Sequence, residues 1–401
     1  MRILFVHQNF PGQFLHLAPA LAARGHEVLA LTAEGNQRPS PVRVVRYRLP
    51  EVRPVEGIAR TYAEMAERGA AAARAADQLT LKHGFTPDLV FGHGGWGETL
   101  FLREIWPQAR HLTYAEFLYA AHGLDTDFDP EFRRLGLAAR LGTAARKAHL
   151  VQAVVDADGA VSPTEWQAST FPADLRGKIS VIHDGIDTDR VAPDPEARLV
   201  LPNGKVLRPG DEVVSYVSRN LEPYRGWHIF VRALPEVLRA RPGAQVVVVG
   251  DDGQSYGPRR GDGRSWKEAL LDEVAGQLDL TRVHFLGRVP YGHFLSLMQV
   301  TRVHAYLTYP FVLSWSMLEA MAAGALVVGS RTPPVEEVLR AGENGRLVAF
   351  FDVEGWSRAL VAALAGTDDA DALRAAARRT IVGRYDLRRQ CLPALVRFVE
   401  G

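Results

Sequence analysis

The side chains best suited to bind an anion lie where a predicted strand, a polar loop and a helix follow one another. The strand ends at Leu307, a loop with Ser314 and Ser316 follows, and the helix is predicted to begin near Met317. A helix N-terminus carries unpaired N–H groups and partial positive charge, so it suits a phosphate or a diphosphate. Glu319 falls in the first turn of this predicted helix, where a carboxylate suits the hydroxyl groups of a ribose.

Two arginines follow another predicted strand, within the segment SRNLEPYRGW. Arg219 ends that strand, and Arg225 comes just before a helix. Ligands of open α/β sheets bind outside the carboxyl ends of the strands, so both guanidinium groups are expected to face a binding crevice. Fixed cations there would stabilise the negative charge of a departing diphosphate. A solvated basic loop is the alternative interpretation of the same residues.

The segments LEAMAAG, the VV strand, PPVEEV and ENGRLV together resemble the donor site of the retaining glycosyltransferases of family four. The resemblance runs in order along nearly the whole chain. It implies the GT-B fold, an α/β architecture of two Rossmann-like, doubly wound parallel-sheet domains facing across a cleft. It also implies a nucleotide-diphosphate sugar in the second domain, an acceptor in the first, and transfer with retention, in which the leaving phosphate helps to deprotonate the acceptor. No cofactor or metal is expected, because the two arginines and the helix N-terminus supply the positive charge.

This sequence departs from the family pattern at two positions of the predicted donor site. Arg225 stands where relatives have a lysine, and Phe311 stands where they have the first of two glutamates. Backbone groups from Leu313 to Leu318 are the expected replacements for that glutamate, and Arg288 and Val289 follow a strand where relatives hold the nucleotide base. The predicted donor-binding residues are Arg219, Arg225, Arg288, Val289, Leu313, Ser314, Ser316, Met317, Leu318 and Glu319.

The predicted acceptor side comprises Gly12, Gln13, His93 and Glu116. Gly12 follows the first strand and opens a helix, which allows a close approach of the backbone to a ligand. Relatives often carry a histidine at the position of His93, and Glu116 stands where many have another histidine. The alternatives are a structural turn at Gly12, a backbone-capped His93 and a salt-bridged Glu116. The candidate catalytic residues are Arg219, Arg225, Glu319, His93 and Glu116.

Strand-like and helical segments alternate along the chain, which indicates parallel sheets covered on both faces. A helix is predicted from Gln13 to Arg24 and an alanine-rich one from Ile58 to His83. The predicted domains are 1–190 and 191–384, with a C-terminal helix at about 385–401 that packs back on the first. A hairpin with an Asn-Gly turn is expected within 201–211, a mobile flap within 253–266, and a hinge that begins at His183.

Composition limits the classes of protein that this sequence can represent. The chain has 401 residues, of which 47% are hydrophobic and 23% charged, and its net charge is +1. Nothing in that charge favours nucleic acid. The single cysteine, Cys391, excludes an internal disulfide and a cysteine-based zinc cluster and fits a reducing cytoplasm. No apolar run reaches the roughly 20 residues of a spanning helix, and the N-terminal run is too short for a signal peptide.

The prediction of peripheral contact with the inner face of a membrane depends on one basic helical surface. Arg133, Arg134, Arg140, Arg146 and Lys147 form it, and the alternatives are a solvated helix or contact with an anionic lipid or polysaccharide. The acidic segment from Asp125 to Asp129 is interpreted as a turn rather than a calcium loop, because proline stands where such a loop needs glycine.

The leading hypothesis is a retaining, metal-independent glycosyltransferase that moves a hexose-type sugar to a glycan, lipid or other hydroxyl acceptor. A sugar-nucleotide-binding protein without transfer activity is the first alternative, motivated by Phe311. A sugar-nucleotide epimerase is the second, although no cluster of acid and base residues favours it. Fold alone does not separate these functions.

Overall fold

The computed structural model describes residues 1–49, 55–133, 136–366 and 369–401. The chain forms two compact units, the first from Met1–Gly185 and Arg388–Gly401 and the second from Ile186–Leu387. The sequence predicts boundaries at 190 and 384, so both differ by a few residues from those of the structure. Arg134 of the predicted basic surface lies outside the described residues.

The first unit is built on a seven-stranded sheet whose pairs are all parallel. The strands are β1 (Arg2–Val6), β2 (Glu27–Ala33), β3 (Arg43–Tyr47), β4 (Leu89–His93), β5 (Arg110–Tyr114), β6 (Gly159–Ser162) and β7 (Ile179–Val181). Their order across the sheet is β3-β2-β1-β4-β5-β6-β7. The chain order reverses between β1 and β4, which makes the carboxyl ends of these strands the expected ligand edge.

Helices cover this sheet. They are α1 (Leu17–Ala23), α2 (Arg60–His83), α3 (Leu102–Ile105), α4 (Leu137–Arg146), α5 (Ala148–Val155), α6 (Glu165–Ser169) and α7 (Ala173–Arg176). The prediction of one helix from Gln13 to Arg24 is wrong, because Gly12–Phe14 forms a separate 3-10 turn and α1 begins at Leu17. The sequence also gives no clear signal for β3, an edge strand whose two arginines interrupt its apolar pattern.

The second unit combines a short hairpin with a six-stranded parallel sheet. The hairpin pairs β8 (Leu199–Val200) with β9 (Val206–Leu207) in antiparallel orientation, as predicted around the Asn-Gly turn. The sheet contains β10 (Val213–Asn220), β11 (Gln245–Asp251), β12 (Val283–Gly287), β13 (Val303–Tyr306), β14 (Leu326–Ser330) and β15 (Arg346–Val348). Their order is β12-β11-β10-β13-β14-β15, so the chain order reverses between β10 and β13.

Helices again lie between successive strands. They are α8 (Trp227–Ala240), α9 (Trp266–Glu273), α10 (Tyr291–Val300), α11 (Trp315–Ala322), α12 (Pro333–Glu336), α13 (Val353–Ala365) and α14 (Ala370–Arg384). A π-helical turn at Leu387–Cys391 leads into α15 (Leu392–Glu400). Arg110 of β5 donates hydrogen bonds to the carbonyls of Val399 and Phe398, at 2.9 and 3.1 Å, so α15 is fastened to the first unit.

The two sheets are buried on both faces. Val246, Val247 and Val248 of β11 are fully buried in succession, as is typical of a central parallel strand with helices on either side. Such burial fixes where each strand ends and therefore where the loops at the carboxyl edge begin. The residues in those loops form the candidate site.

Candidate functional site

The reversal of chain order between β10 and β13 brings two predicted site segments to one place in the second unit. Arg219 lies at the end of β10, and residues 307–314 connect β13 to α11. We call residues 307–314 the α11 loop. The switch point of a doubly wound sheet is where such folds bind ligands, so these segments are positioned for that purpose.

Arg225 is buried against the α11 loop. Its Nη1 donates hydrogen bonds to Thr308 Oγ1 and to the carbonyl of Val312, both at 2.8 Å. Gly226 makes this approach feasible, because it has a φ of +69° and a Cβ there would lie 2.3 Å from the Cβ of Leu307. Arg225 therefore braces the loop that leads into α11, in addition to the cationic role predicted for it.

The hydroxyl of Tyr306 fixes the start of α11. It accepts a hydrogen bond from the backbone N–H of Ser314 at 2.7 Å and a longer one from Arg225 Nη1 at 3.4 Å. Ser314 is the N-cap residue, and its side chain accepts the N–H of Ser316 at 3.3 Å. The helix thus begins at Trp315, two positions before the predicted Met317, because the serine cap ends the loop earlier.

Because α11 begins earlier than predicted, Glu319 lies in a different turn of the helix from the predicted one. This residue lies in the second turn rather than the first, and no acidic residue occupies the first turn. Its Oε1 accepts a hydrogen bond from the hydroxyl of Tyr291 at 2.8 Å. Burial raises the pKa of Glu319 to about 7, while the Tyr291 hydrogen bond and the charge of Arg190 act in the opposite direction. Met317 and Leu318 beside it are fully buried.

Tyr256, in the segment 253–266, lies near both Arg219 and Arg225. The guanidinium carbons of Arg219 and Arg225 lie 6.0 and 5.3 Å from the centroid of the Tyr256 ring. Glu222 holds the same segment, because its buried carboxylate accepts the N–H groups of Tyr256 and Gly257 at 3.2 and 3.1 Å. Burial raises the pKa of Glu222 and these N–H groups counteract that shift. The predicted flap is therefore tied to the end of β10.

Phe311 belongs to an aromatic cluster instead of facing a ligand with a polar group. Its side chain is 2% exposed, and its ring centroid lies 4.8 Å from that of Tyr256 and 5.5 Å from that of Tyr224. The arginine of this cluster, Arg225, lies 5.6 Å from the same ring. Aromatic packing thus occupies the position at which the family resemblance implies a glutamate. Leu313, in the same loop, is buried with the core of the unit.

Arg288 and Val289 lie at the end of β12, which is separated from β10 by β11. Arg288 forms an ion pair with Asp251 at 2.5 Å and remains 73% exposed at its side chain. Val289 packs against the core. The structure therefore places these two residues on the same sheet edge as Arg219, but two strands away from it.

In the first unit, all four predicted acceptor-side residues lie together at the carboxyl edge of β1, β4 and β5. Nε2 of Gln13 donates to Glu116 Oε1 at 3.3 Å, and Nε2 of His93 lies 3.8 Å from Glu116 Oε2. His7, which the sequence analysis missed, contacts Gln13 Oε1 through Nε2 at 3.1 Å. We call His7, Gln13, His93 and Glu116 the acceptor-side cluster.

The protonation of the two histidines follows from their contacts. Nδ1 of His93 accepts the N–H of Gly95 at 3.1 Å, and Nδ1 of His7 accepts the N–H of Asn9 at 2.9 Å. The proton of each neutral ring is therefore on Nε2, so that His7 donates to Gln13. Burial lowers the pKa of His93 to about 4, and burial followed by the charge of His93 lowers that of His7 to about 3. Both rings are neutral near pH 7.

Gly12 is required where it stands. It has a φ of +49°, and a Cβ would lie 2.7 Å from Nε2 of His7. The glycine opens a helical turn, as predicted, but this turn is the short 3-10 helix Gly12–Phe14, which closes over the His7 ring. This contact keeps His7 in line with Gln13.

Within the residues that the structure describes, no group of three or more His, Cys, Asp or Glu side chains is arranged to hold a metal ion. The described helices include none with the length and apolar character needed to cross a bilayer. Asp127 accepts the N–H of Gly123 at 2.9 Å and Asp129 that of Glu131 at 2.9 Å, as expected of turn-forming aspartates.

The sequence analysis missed Glu222, Tyr256, Tyr291 and Tyr306, along with His7. Tyr306 and Tyr291 read as core aromatics because they lie within apolar segments. Glu222 could have been noted as a carboxylate three residues before Arg225, but its partners lie more than 30 residues further along the chain. Local patterns do not reveal such contacts.

Known families match both units. The "Glycosyl transferase family 4 group" matches residues 24–191, and "Glycosyl transferases group 1" matches residues 203–380. A phosphatidyl-myo-inositol mannosyltransferase of Mycolicibacterium smegmatis is 33% identical over 180 residues, which are 43% of this chain and 41% of that protein. A D-inositol 3-phosphate glycosyltransferase of Mycolicibacterium paratuberculosis is 30% identical over 222 residues, or 53% and 46% of the two chains. The matches thus span about half the length of these relatives.

Solved structures share the fold over the whole chain. Sucrose-phosphate synthase from Thermosynechococcus elongatus has a TM-score of 0.73 at 18% identity and covers 100% of this chain and 98% of its own. Anabaena HepE, in complex with UDP and glucose, has a TM-score of 0.68 at 16% identity, with coverage of 100% and 98%. At these identities the likeness establishes the GT-B fold alone. From the family matches over both units, we conclude that the chain belongs to the group 1 glycosyltransferases of family four.

Proposed function

We propose that this protein transfers a hexose-type sugar from a nucleotide-diphosphate sugar to a hydroxyl group of a glycan or lipid-linked acceptor. The observation that carries the proposal is the construction of the α11 loop. Arg225 and Tyr306 brace this loop, Ser314 caps the helix, and Arg219 lies close by at the end of β10. Such a loop presents backbone N–H groups and positive charge to a diphosphate.

In the proposed reaction, the bond between the sugar and the diphosphate breaks while a new bond forms to the acceptor oxygen on the same face of the sugar. The acceptor proton moves to an oxygen of the leaving phosphate. Arg219 and the N-terminus of α11 stabilise the charge that develops on the diphosphate, and Arg225 holds the loop in place. This distribution of positive charge supports a reaction that proceeds without a metal ion.

The acceptor-side cluster supports the second half of the proposal. Glu116 and the Nε2–H of His93 offer an acceptor and a donor of hydrogen bonds, 3.8 Å apart. A hydroxyl group both donates and accepts, so it can bond to both. The matched mannosyltransferase and inositol-phosphate glycosyltransferase are named for inositol-containing acceptors, which motivates the inclusion of such acceptors in the assay.

The decisive assay incubates the purified chain with UDP-, GDP- and ADP-sugars and with acceptors that include inositol phosphate and phosphatidylinositol vesicles. Product mass and the anomeric configuration determined by NMR report transfer and retention. Parallel reactions with EDTA test the expected independence of metal. Nucleotide binding without a glycosylated product, for every acceptor including a cell lysate, would contradict the proposal.

A donor-binding protein without transfer activity is the second candidate, and the packing of Phe311 favours it. That side chain is buried among aromatic rings at the position where the family resemblance implies a carboxylate. Slow hydrolysis of a sugar nucleotide in the absence of acceptor, detected by release of free sugar, would exclude this candidate. The same sample examined by NMR for an epimerised donor tests the epimerase alternative.

A further inference from the structure

A cavity of about 190 Å³ lies within the first unit, beside the acceptor-side cluster. Residues of the β4 and β5 ends, of α2 and of α4–α5 line it, including His93, Trp96, Thr113, Tyr119, Arg146 and His149. Drug-sized ligands occupy pockets of roughly 300–1,000 Å³, so this cavity suits a single small ring.

Several residues that line the cavity have buried polar atoms without hydrogen-bond partners. Among the described residues, the buried atoms Nε2 of His93, Nε1 of Trp96, Oγ1 of Thr113, Nε of Arg146 and Nδ1 of His149 have no hydrogen-bond partner. The side chains of His93, Thr113 and His149 belong to residues that are only 1%, 2% and 3% exposed. Unsatisfied buried groups are costly and rare, so five of them on residues that line one cavity indicate a site for a hydrogen-bonding ligand.

The types of these atoms restrict the chemistry of the occupant. Trp96 Nε1 and Arg146 Nε can only donate, and His93 donates through Nε2 because its Nδ1 accepts the N–H of Gly95. The carboxylate of Glu116, which also lines the cavity, can only accept when ionised. Hydroxyl groups satisfy both kinds of partner. A cationic ligand would be opposed by Arg146, and an anionic ligand by Glu116.

Aromatic rings form part of the remaining wall. The rings of Tyr114 and Trp96 both stack on that of His93, with centroid distances of 5.2 and 5.9 Å, and the guanidinium carbon of Arg146 lies 3.6 Å from the ring centroid of Tyr119. Flat apolar walls with polar atoms at their edges match a ring that has C–H faces and a hydroxylated rim. Arg146 thus serves this wall rather than the basic surface predicted from the sequence.

From these observations we propose that the cavity binds an uncharged six-membered ring bearing several hydroxyl groups, either a sugar residue or a cyclitol. This inference rests on the proposed function in identifying the ring as part of the acceptor. The binding itself requires no sugar nucleotide, so the two proposals can fail separately.

The test measures binding of methyl mannoside, methyl glucoside and myo-inositol to the full chain by saturation-transfer NMR, without nucleotide. At least one ring is expected to bind, and the preferred ring distinguishes a sugar source from a cyclitol source. Ala153→Leu places a larger side chain in the cavity wall and is expected to abolish binding, whereas Ala148→Leu, at an exposed position of the same helix, is expected to leave it unchanged.

Thr113→Val gives a second variant that preserves the shape of the wall and removes one hydroxyl. Binding is expected to weaken about five- to tenfold, as for the loss of one hydrogen bond. Circular dichroism and nucleotide titration of each variant establish that it is folded. No binding of any ring by the wild-type chain, binding by Ala153→Leu equal to that of the wild type, or a crystal structure soaked with these rings that shows only water in the cavity would each overturn the inference.

Discussion

Nε2 of His93 lies 3.8 Å from Oε2 of Glu116, beyond the range of a direct hydrogen bond but within that of a pair bridged by one hydroxyl oxygen. The carboxylate is oriented from its other side, because Gln13 donates to Oε1 at 3.3 Å. The neutral imidazole and the oriented carboxylate therefore form an incomplete pair that a hydroxyl group would complete.

The first prediction concerns this pair. Glu116→Gln retains the shape of the side chain but removes the charge that would hold and polarise an acceptor hydroxyl. We expect sugar transfer to fall by at least roughly tenfold, because a hydrogen bond to a charged group contributes roughly 1.5–3 kcal/mol to holding the hydroxyl. Binding of the nucleotide diphosphate, measured by calorimetry, should be unchanged. Glu104→Gln, at an exposed position of α3, is the control, and equal activity of both variants would contradict the assigned role.

The second prediction tests the contact between Gly12 and His7. Gly12→Ala places a Cβ 2.7 Å from Nε2 of His7, in a backbone conformation with a φ of +49°. We expect a loss of roughly 2–3 kcal/mol in the free energy of unfolding, measured by urea denaturation.

Gly25→Ala is the matched control for this prediction. It also has a positive φ, of +90°, but nothing lies within 4 Å of the new Cβ. It should cost only about 1 kcal/mol. If both substitutions cost the same, the ring of His7 does not require the glycine.

The third prediction concerns the pH dependence of stability. Burial raises the pKa of Glu319 to about 7 from an ordinary value of 4.5. Because the folded state holds this proton more tightly than the unfolded state, the associated stability is complete below about pH 4.5 and is lost as the pH rises through 7. We expect Glu319→Gln to remove part of this decline, roughly 1–3 kcal/mol between pH 4.5 and 8.

The measurement compares urea denaturation of Glu319→Gln and the wild type across that pH range. Glu98, also buried, has its pKa raised to about 7 by burial and contributes a decline of its own, which both proteins share. The difference between the two curves therefore isolates Glu319. Parallel curves would show that folding does not raise the pKa of Glu319, and would contradict the prediction.

The fourth prediction separates the roles of the two arginines. Arg225→Ala should destabilise the protein by roughly 2–4 kcal/mol, because it leaves Thr308 Oγ1 and the carbonyl of Val312 without their buried donor. Arg219→Ala, at an exposed position, should change stability by less than about 0.5 kcal/mol. Thermal denaturation compares the two, and a similar small loss for both would contradict the bracing role of Arg225.

Much of the fold follows from local patterns in the sequence. Apolar runs such as Val246 to Val249 give the central strands, and Gly324, with its φ of +89°, marks the end of α11 where predicted. The sequence also predicts the grouping of Gln13, His93 and Glu116, because each lies at or after the end of a parallel strand and the carboxyl ends of such strands share one edge of the sheet.

The rest depends on contacts between distant parts of the chain. The sequence around Tyr306 predicts a core residue, whereas in the structure its hydroxyl accepts a hydrogen bond from the N–H of Ser314. The sequence predicts His7 only as the end of a strand, whereas in the structure the turn at Gly12 covers its ring. The register error at Glu319 has a local cause. The sequence predicts Ser314 as a loop residue and not as the N-cap, so the predicted helix begins two residues, about half a turn, too late.

The central claim is that Arg219 and the α11 loop bind a nucleotide diphosphate. The most direct measurement is calorimetric titration of UDP, GDP and ADP into the wild-type protein, Arg219→Ala and the exposed control Arg239→Ala. Our account predicts that at least one nucleotide binds the wild type and the control equally, and that Arg219→Ala weakens this binding by roughly tenfold or more while remaining folded. Binding of none of the nucleotides, or equal binding by all three proteins, would contradict it.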